Sequence, residues 1–101
     1  MKLWVDDVRK APNGYVWARS VNDAKLFISM SENHPSDFVA CEIINIDHDA
    51  GNYAKDGGHY IKLLEWLEET GRNYPIHIHS DNQINLLWMR EMIERNNWRE
   101  V

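Results

Sequence analysis

Ile43-Ile44-Asn45-Ile46-Asp47-His48-Asp49 is the stretch that decides the fold. Apart from Asn45 its first half is β-branched and uncharged, and it runs straight into two carboxylates and an imidazole. That is the pattern of a central strand, covered on both faces, ending in a polar loop. Two other runs end the same way: Leu3-Trp4-Val5 leads into Asp6-Asp7, and Ile76-His77-Ile78 leads into His79-Ser80. If all three are parallel strands their carboxyl ends converge, and ligands of open α/β sheets bind in the crevice outside those ends. The reading therefore gathers Asp6, Asp7, Asp47, Asp49, His48 and His79 at one rim.

Working outward, the first strand is expected over Lys2 to Val5, with Pro12 and Asn13-Gly14 turning the chain soon after. Tyr15 to Arg19 reads as a second strand, and Ser20-Val21-Asn22-Asp23 as the cap of a helix with Ala24, Phe27, Ile28 and Ser31 on its inner face. Asn33-His34-Pro35-Ser36 should stop that helix, and Phe38 to Ile46 should carry the third strand. Residues 50–58 are too polar and Gly-rich for an ordered element and read as a loop over the strand end.

Tyr60, Leu63, Leu64 and Leu67 recur at helical spacing up to a terminating Gly71. Ile76 to His79 forms a fourth strand, Leu86, Met89, Arg90 and Ile93 outline a last helix starting near Asn82 or Asn85, and Trp98 to Val101 suggests a short edge strand. This order predicts a small three-layer α/β domain over residues 1–101, its sheet mostly parallel and its connections right-handed.

Composition narrows the function classes. A chain of 101 residues that is 44% hydrophobic has room for one core. The single cysteine, Cys41, lies in an apolar stretch, so no disulfide framework is expected and the chain reads as intracellular and cytoplasmic, with Cys41 in the core. No apolar run approaches the roughly 20 residues that cross a bilayer, so no membrane partner is expected. A formal charge of −5 argues against binding duplex nucleic acid, which needs a basic face. A bound divalent ion could still bring a phosphate ester to such an acidic domain.

Asp6, Asp7 and Asp47 are hard oxygen donors suited to Mg²⁺ or Mn²⁺. An adjacent pair at a strand end sends its side chains opposite ways, so one of Asp6 and Asp7 would ligate while the other caps the turn; both could instead be plain turn-forming acids. If the strand alternation continued, Asp47 and Asp49 would share a direction and hold the ion, with His48 as proton carrier or as a hydrogen-bonded structural group. Ser80 and Asn82 would offer a hydroxyl, an amide and a helix N-terminus to a phosphate, or simply cap the helix. Arg9 would grip the phosphate or neutralise Asp6 or Asp7. Gly57-Gly58 could cradle an anion or merely loosen the loop. Of the aromatic residues, Tyr53 and Trp17 are candidates to stack on a base, while the tryptophans, Trp4 and Trp66 first, read more readily as core.

The segments Leu3 to Pro12, Ile46-Asp47-His48-Asp49 and His79-Ser80-Asp81-Asn82 resemble the cyclic-phosphate processing receiver domains, and the likeness runs over nearly the whole chain. It implies a receiver-like, truncated flavodoxin-like fold with Asp6, Asp7 and Asp47 in the acidic-pocket positions. The receiver lysine after a fifth strand has no counterpart in Asn96 to Val101, whereas His48, Asp49, His79 and Asn82 are the features shared with the cyclic-phosphate group. The resemblance implies processing of a cyclic phosphate or cyclic nucleotide, and small domains of this kind also resemble those carried by phages, where removing a nucleotide signal would counter host defence.

The leading expectation is thus a metal-dependent phosphodiesterase: Asp6, Asp7 and Asp47 on a divalent ion, His48, His79 and Asp49 catalytic, Arg9, Ser80 and Asn82 on the phosphate. Its partner would be a small cyclic nucleotide or a cyclic-phosphate end, and a homo-oligomer is compatible with the surface. The competing expectation is a non-catalytic nucleotide sponge or a receiver-like protein interaction module.

Overall fold

In a computed structural model, residues 1–33 and 40–101 are described. Leu3 and Val5 of β1 (Lys2–Val5) are fully buried while Lys2 is exposed and Trp4 half-buried, and the third and fourth strands alternate in the same way. The other strands are β2 (Tyr15–Ala18), β3 (Ile43–Ile46) and β4 (Ile76–Ile78). The sheet runs β2-β1-β3-β4 and every pairing is parallel, so the expected parallel α/β architecture is present.

Three helices fill the connections after β2, β3 and β4: α1 (Val21–Asn33), α2 (Ile61–Glu69) and α3 (Gln83–Arg95). Ser20 caps α1 through its Oγ, which accepts the Asp23 N–H at 3.0 Å. Asn82 does the same for α3 with the Asn85 N–H, also 3.0 Å. Gly71, at φ +68, ends α2 in the left-handed conformation that the sequence predicts.

The layering departs from expectation. The steps β2 to β3 and β3 to β4 advance the same way across the sheet, so right-handed crossovers put α1 and α2 on the same face, where they touch each other and α2 touches α3. Leu3, Val5, Ala18, Ile44, Ile46, Ile76 and Ile78 face that layer and join one core with Ile28, Leu63, Leu67, Met89 and Ile93. The step from β1 back to β2 goes the other way, and residues 6–14 make it without a helix. Among the described residues the outer face thus carries a loop: the Trp4 indole N–H donates to the Arg9 carbonyl at 2.8 Å and that of Trp17 to the Asp6 carbonyl at 2.8 Å. The helical cover is one layer, where three-layer packing was expected.

Smaller corrections have local causes. β3 begins at Ile43; Phe38 and Val39, like the proposed helix stop at His34-Pro35-Ser36, lie outside the described residues. Residues 51–55 form a 3₁₀ helix rather than an unstructured loop. On α3 the inward residues are Met89, Met92 and Ile93, while Arg90 turns out to Glu100 at 2.9 Å. The last residues meet β4 at an isolated bridge between Ile76 and Glu100, with the His77 ring also at the Val101 carbonyl. Cys41 is buried, as its apolar setting suggests.

Candidate functional site

The sheet's hydrogen bonding continues one step past each strand, and this brings the polar clusters together. The N–H of Asp6 donates to the Ala18 carbonyl, that of Asp47 to Val5 and that of His79 to Ile46, at 3.2, 2.9 and 3.0 Å. Parallel strands with staggered ends thus set Asp6, Asp47 and His79 side by side on one rim.

Asp6 is 1% exposed and both its oxygens have partners within the fold. Its Oδ1 accepts the N–H groups of Val8 and Arg9, both at 2.9 Å, and its Oδ2 lies 2.9 Å from His79 Nε2. Burial alone would raise its pKa, but the Arg9 and Val8 N–H groups and His79 outweigh it and hold the carboxyl below its ordinary range. His79 is fixed from every side. Nδ1 meets the Asn45 amide, Nε2 meets Asp6, and the ring stacks on Trp4 with centroids 4.0 Å apart and planes 6° from parallel. Burial pushes its pKa down against the pull of Asp6, so the neutral ring is favoured.

Asp7 is the contrary case. Burial raises its pKa, and Asp6, Asp47 and Asp49 add to the rise. Of the adjacent pair, Asp6 caps the turn and Asp7 is left facing other carboxylates. Ligand oxygens of Asp6, Asp7 and Asp47 lie within 4.8 Å of one another, so these three could hold a metal ion. The donor set fits a hard divalent cation, which takes carboxylate oxygens and keeps several waters, and a cation there would relieve the repulsion that raises Asp7. Gly51, at φ +52, closes over this group: a Cβ at that position would collide with Asp7 Oδ2.

His48 leans on the acidic group with one nitrogen. Its Nδ1 lies 2.5 Å from Ser80 Oγ and 3.3 Å from Asp47 Oδ1, and no described residue bonds Nε2. Ser80 Oγ also accepts the Asn82 N–H at 3.2 Å, so Ser80 and Asn82 both serve as caps. Asp49 does not share the direction of Asp47, because the strand ends at Ile46 and the alternation ends with it. It turns to accept the Gly51 N–H at 2.8 Å and stands 3.1 Å from His59 Nδ1. Arg9 pairs with exposed Asp81 at 3.1 Å instead of Asp6 or Asp7. Gly57-Gly58 has a packing role: a Cβ at Gly57 would strike Val21 and Asn22, and the Gly58 N–H is spent on the Ala54 carbonyl.

A cavity of about 390 Å³ opens beside this rim, and His48 and Asp49 line it together with His59 and Trp88. His79 is not among its lining residues. His59 and Trp88 carry no mark in the sequence reading; the only hint was a titratable residue between a Gly pair and a helix start. His59 Nδ1 accepts the Ala50 N–H at 3.1 Å, and no described residue bonds its Nε2. Trp88 is 60% exposed, against the expectation that the tryptophans are core. Trp17 and Tyr53, the stacking candidates, instead flank the Arg19 guanidinium, 4.0 and 6.0 Å from their ring centres.

Residues 1–95 match the family model of the cyclic-phosphate processing receiver domain. No curated protein and no solved structure matches the chain.

Proposed function

Since the chain belongs to the cyclic-phosphate processing receiver domain family, we propose that it hydrolyses a cyclic phosphate ester, a cyclic nucleotide or a 2′,3′-cyclic phosphate end, with help from Mg²⁺ or Mn²⁺. The observation that carries this reading is the clustering of the Asp6, Asp7 and Asp47 oxygens beside His48, which stands 3.3 Å from Asp47 and lines a cavity. A divalent ion on those carboxylates would supply charge to polarise the phosphoryl group.

The residues of the chain divide the remaining work. His48, held at Nδ1 by Ser80 and Asp47, offers Nε2 to the proton of the attacking water. The water oxygen forms the new P–O bond while one ring P–O bond breaks, and the departing oxygen takes a proton from solvent. The Ala50 N–H orients His59 at Nδ1 and leaves its Nε2 toward the cavity to bond substrate. His79 acts only by holding Asp6 in place, and Arg9 stands at the edge of the group to meet an anionic substrate. Removal of a nucleotide signal, as in phage counter-defence, is the biological use to which this reaction would lend itself.

The test is to incubate the protein with Mn²⁺ and a panel of cyclic nucleotides and 2′,3′-cyclic phosphate ends, denature it, and identify every nucleotide by chromatography. A linear product is expected from wild type, with turnover reduced about 100-fold or more in Asp47→Asn and in His48→Ala. Full turnover in both variants would sink the assignment. Sequestration without turnover is the second reading, favoured by the missing receiver lysine; intact ligand recovered after depletion of the free pool would mark it.

A further inference from the structure

The far side of the cavity comes from the start of α3, where Asn82, Asn85, Trp88 and Met89 follow one another at helical spacing and turn toward the space. Ile61, from the start of α2, adds an apolar contact. The indole N–H groups of Trp4, Trp17 and Trp98 each donate to a backbone carbonyl, whereas those of Trp66 and Trp88 have no partner among the described residues, and of these two only Trp88 is exposed. The Asn85 side-chain amide likewise has none, and Asn82 commits only its Oδ1, to the helix cap.

We propose that this cavity receives the base of the nucleotide whose phosphate lies on the other side of His48, with Trp88 as the stacking platform and Asn85 as the reader of the base edge. The inference rests on the nucleotide reading above and adds where the base goes. An exposed indole presents a flat apolar face, and every nucleobase has a π-face to lay on it. An unpaired amide offers a donor and an acceptor on one plane, the arrangement that meets adenine on two adjacent atoms. The volume falls in the range of small-molecule sites, which combine an apolar lining with a few convergent polar groups. His48 lines this cavity and stands beside Asp47 of the acidic group, so a base held here adjoins the proposed reacting centre.

Ile84 and Leu87 extend the exposed apolar face of α3 beyond the cavity, so a second copy of the chain is the competing occupant. The unpaired amide and the two imidazoles on the cavity favour a polar heterocycle over an apolar partner.

The experiment compares wild type, Trp88→Ala, Trp88→Phe and Asn85→Ala, without divalent metal, by calorimetry. The probes are the four ribonucleoside 2′,3′-cyclic phosphates and the base-free ester glycerol 1,2-cyclic phosphate. Trp88→Ala is expected to weaken its preferred nucleotide about 10-fold or more, the share carried by one stacked base. Trp88→Phe should stay within about 3-fold, Asn85→Ala should change the ranking of the bases, and the base-free ester should bind all four proteins alike. Equal nucleotide affinity in wild type and Trp88→Ala overturns the proposal, as does an equal loss for the base-free ester.

If wild type neither binds nor consumes any cyclic ester, the hydrolase reading fails by itself. The pocket is then read with the free nucleosides, following the indole N–H resonances. A shift confined to Trp88 sustains the base site and no shift overturns it. A dimer that Trp88→Ala dissociates, with nucleoside affinity unchanged, assigns the face to a second copy and also overturns it.

Discussion

Two histidines stand at the ends of neighbouring strands and live in opposite surroundings. His79 has both ring nitrogens bonded, one ring face on Trp4, and a side chain 11% exposed. His48 is 22% exposed, bonds through Nδ1 alone and turns toward a cavity. The half of the rim around His79 and Asn45 is closed, and Asp6 there accepts the Val8 and Arg9 N–H groups and meets His79 while still bordering the acidic group. The half around His48, Asp7 and His59 has groups left over. Chemistry needs unspent groups, so the difference separates a strut from a working site, although residue type alone makes the two histidines equivalent.

The sharpest way to break the comparison is Asp6→Ala. It leaves the Val8 and Arg9 N–H groups and His79 Nε2 without an acceptor, and should cost about 3 kcal/mol of stability in urea denaturation. A variant as stable as wild type would mean that the bonds of the closed half add nothing to stability.

Next in size is the split between the histidines. His79→Ala should lower stability by about 2 kcal/mol, because it leaves a buried carboxylate oxygen unpaired and removes the ring from Trp4. His48→Ala should change stability by less than about 1 kcal/mol and act instead on turnover. Equal thermal shifts in the two variants would erase the distinction.

The pH dependence follows from burial. His79 has a folded pKa below its ordinary 6.5, so the unfolded chain takes up its proton first. Its contribution is fully present above pH 6.5 and is lost as the pH falls from there through the folded value. Asp6 runs lower: its pKa is held below 3.8, so its contribution persists above that value and disappears only on further acidification. Metal-free protein should therefore lose stability in two stages on acidification. His79→Gln should remove the first, and a single stage in wild type would contradict the assignment.

The smallest expected effect sharpens the open half. Asp7 has a raised pKa, so its ionised form costs folding free energy at neutral pH, and that cost fades as the pH drops below the carboxylate range. Asp7→Asn should stabilise the metal-free protein by under about 1 kcal/mol and reduce the rise in Tm that Mn²⁺ produces. Destabilisation, or an unchanged Mn²⁺ response, would remove Asp7 from the acidic group.

Much of this was legible in the chain because the signals are local. An apolar run ending in acids announces a buried strand and its exit, and strands separated by helical periods announce a parallel sheet; Asp6, Asp7 and Asp47 could be placed on one rim from these patterns alone. The resemblance of Leu3 to Pro12 and His79 to Asn82 to a receiver-like family was legible for the same reason. Other features depend on partners far apart in sequence. Whether His79 or His48 is free turns on Asn45, Asp6 and Ser80, and the direction of Asp49 turns on where β3 ends. The single helical layer follows from the order of strands in the sheet, and the exposure of Trp88 from the face that α3 presents once Met89, Met92 and Ile93 are buried. Residue types and their period determine which groups reach the rim. Only the tertiary structure decides which of them remain unpaired there, because hydrogen bonding and burial are settled between strands and helices that the chain keeps apart.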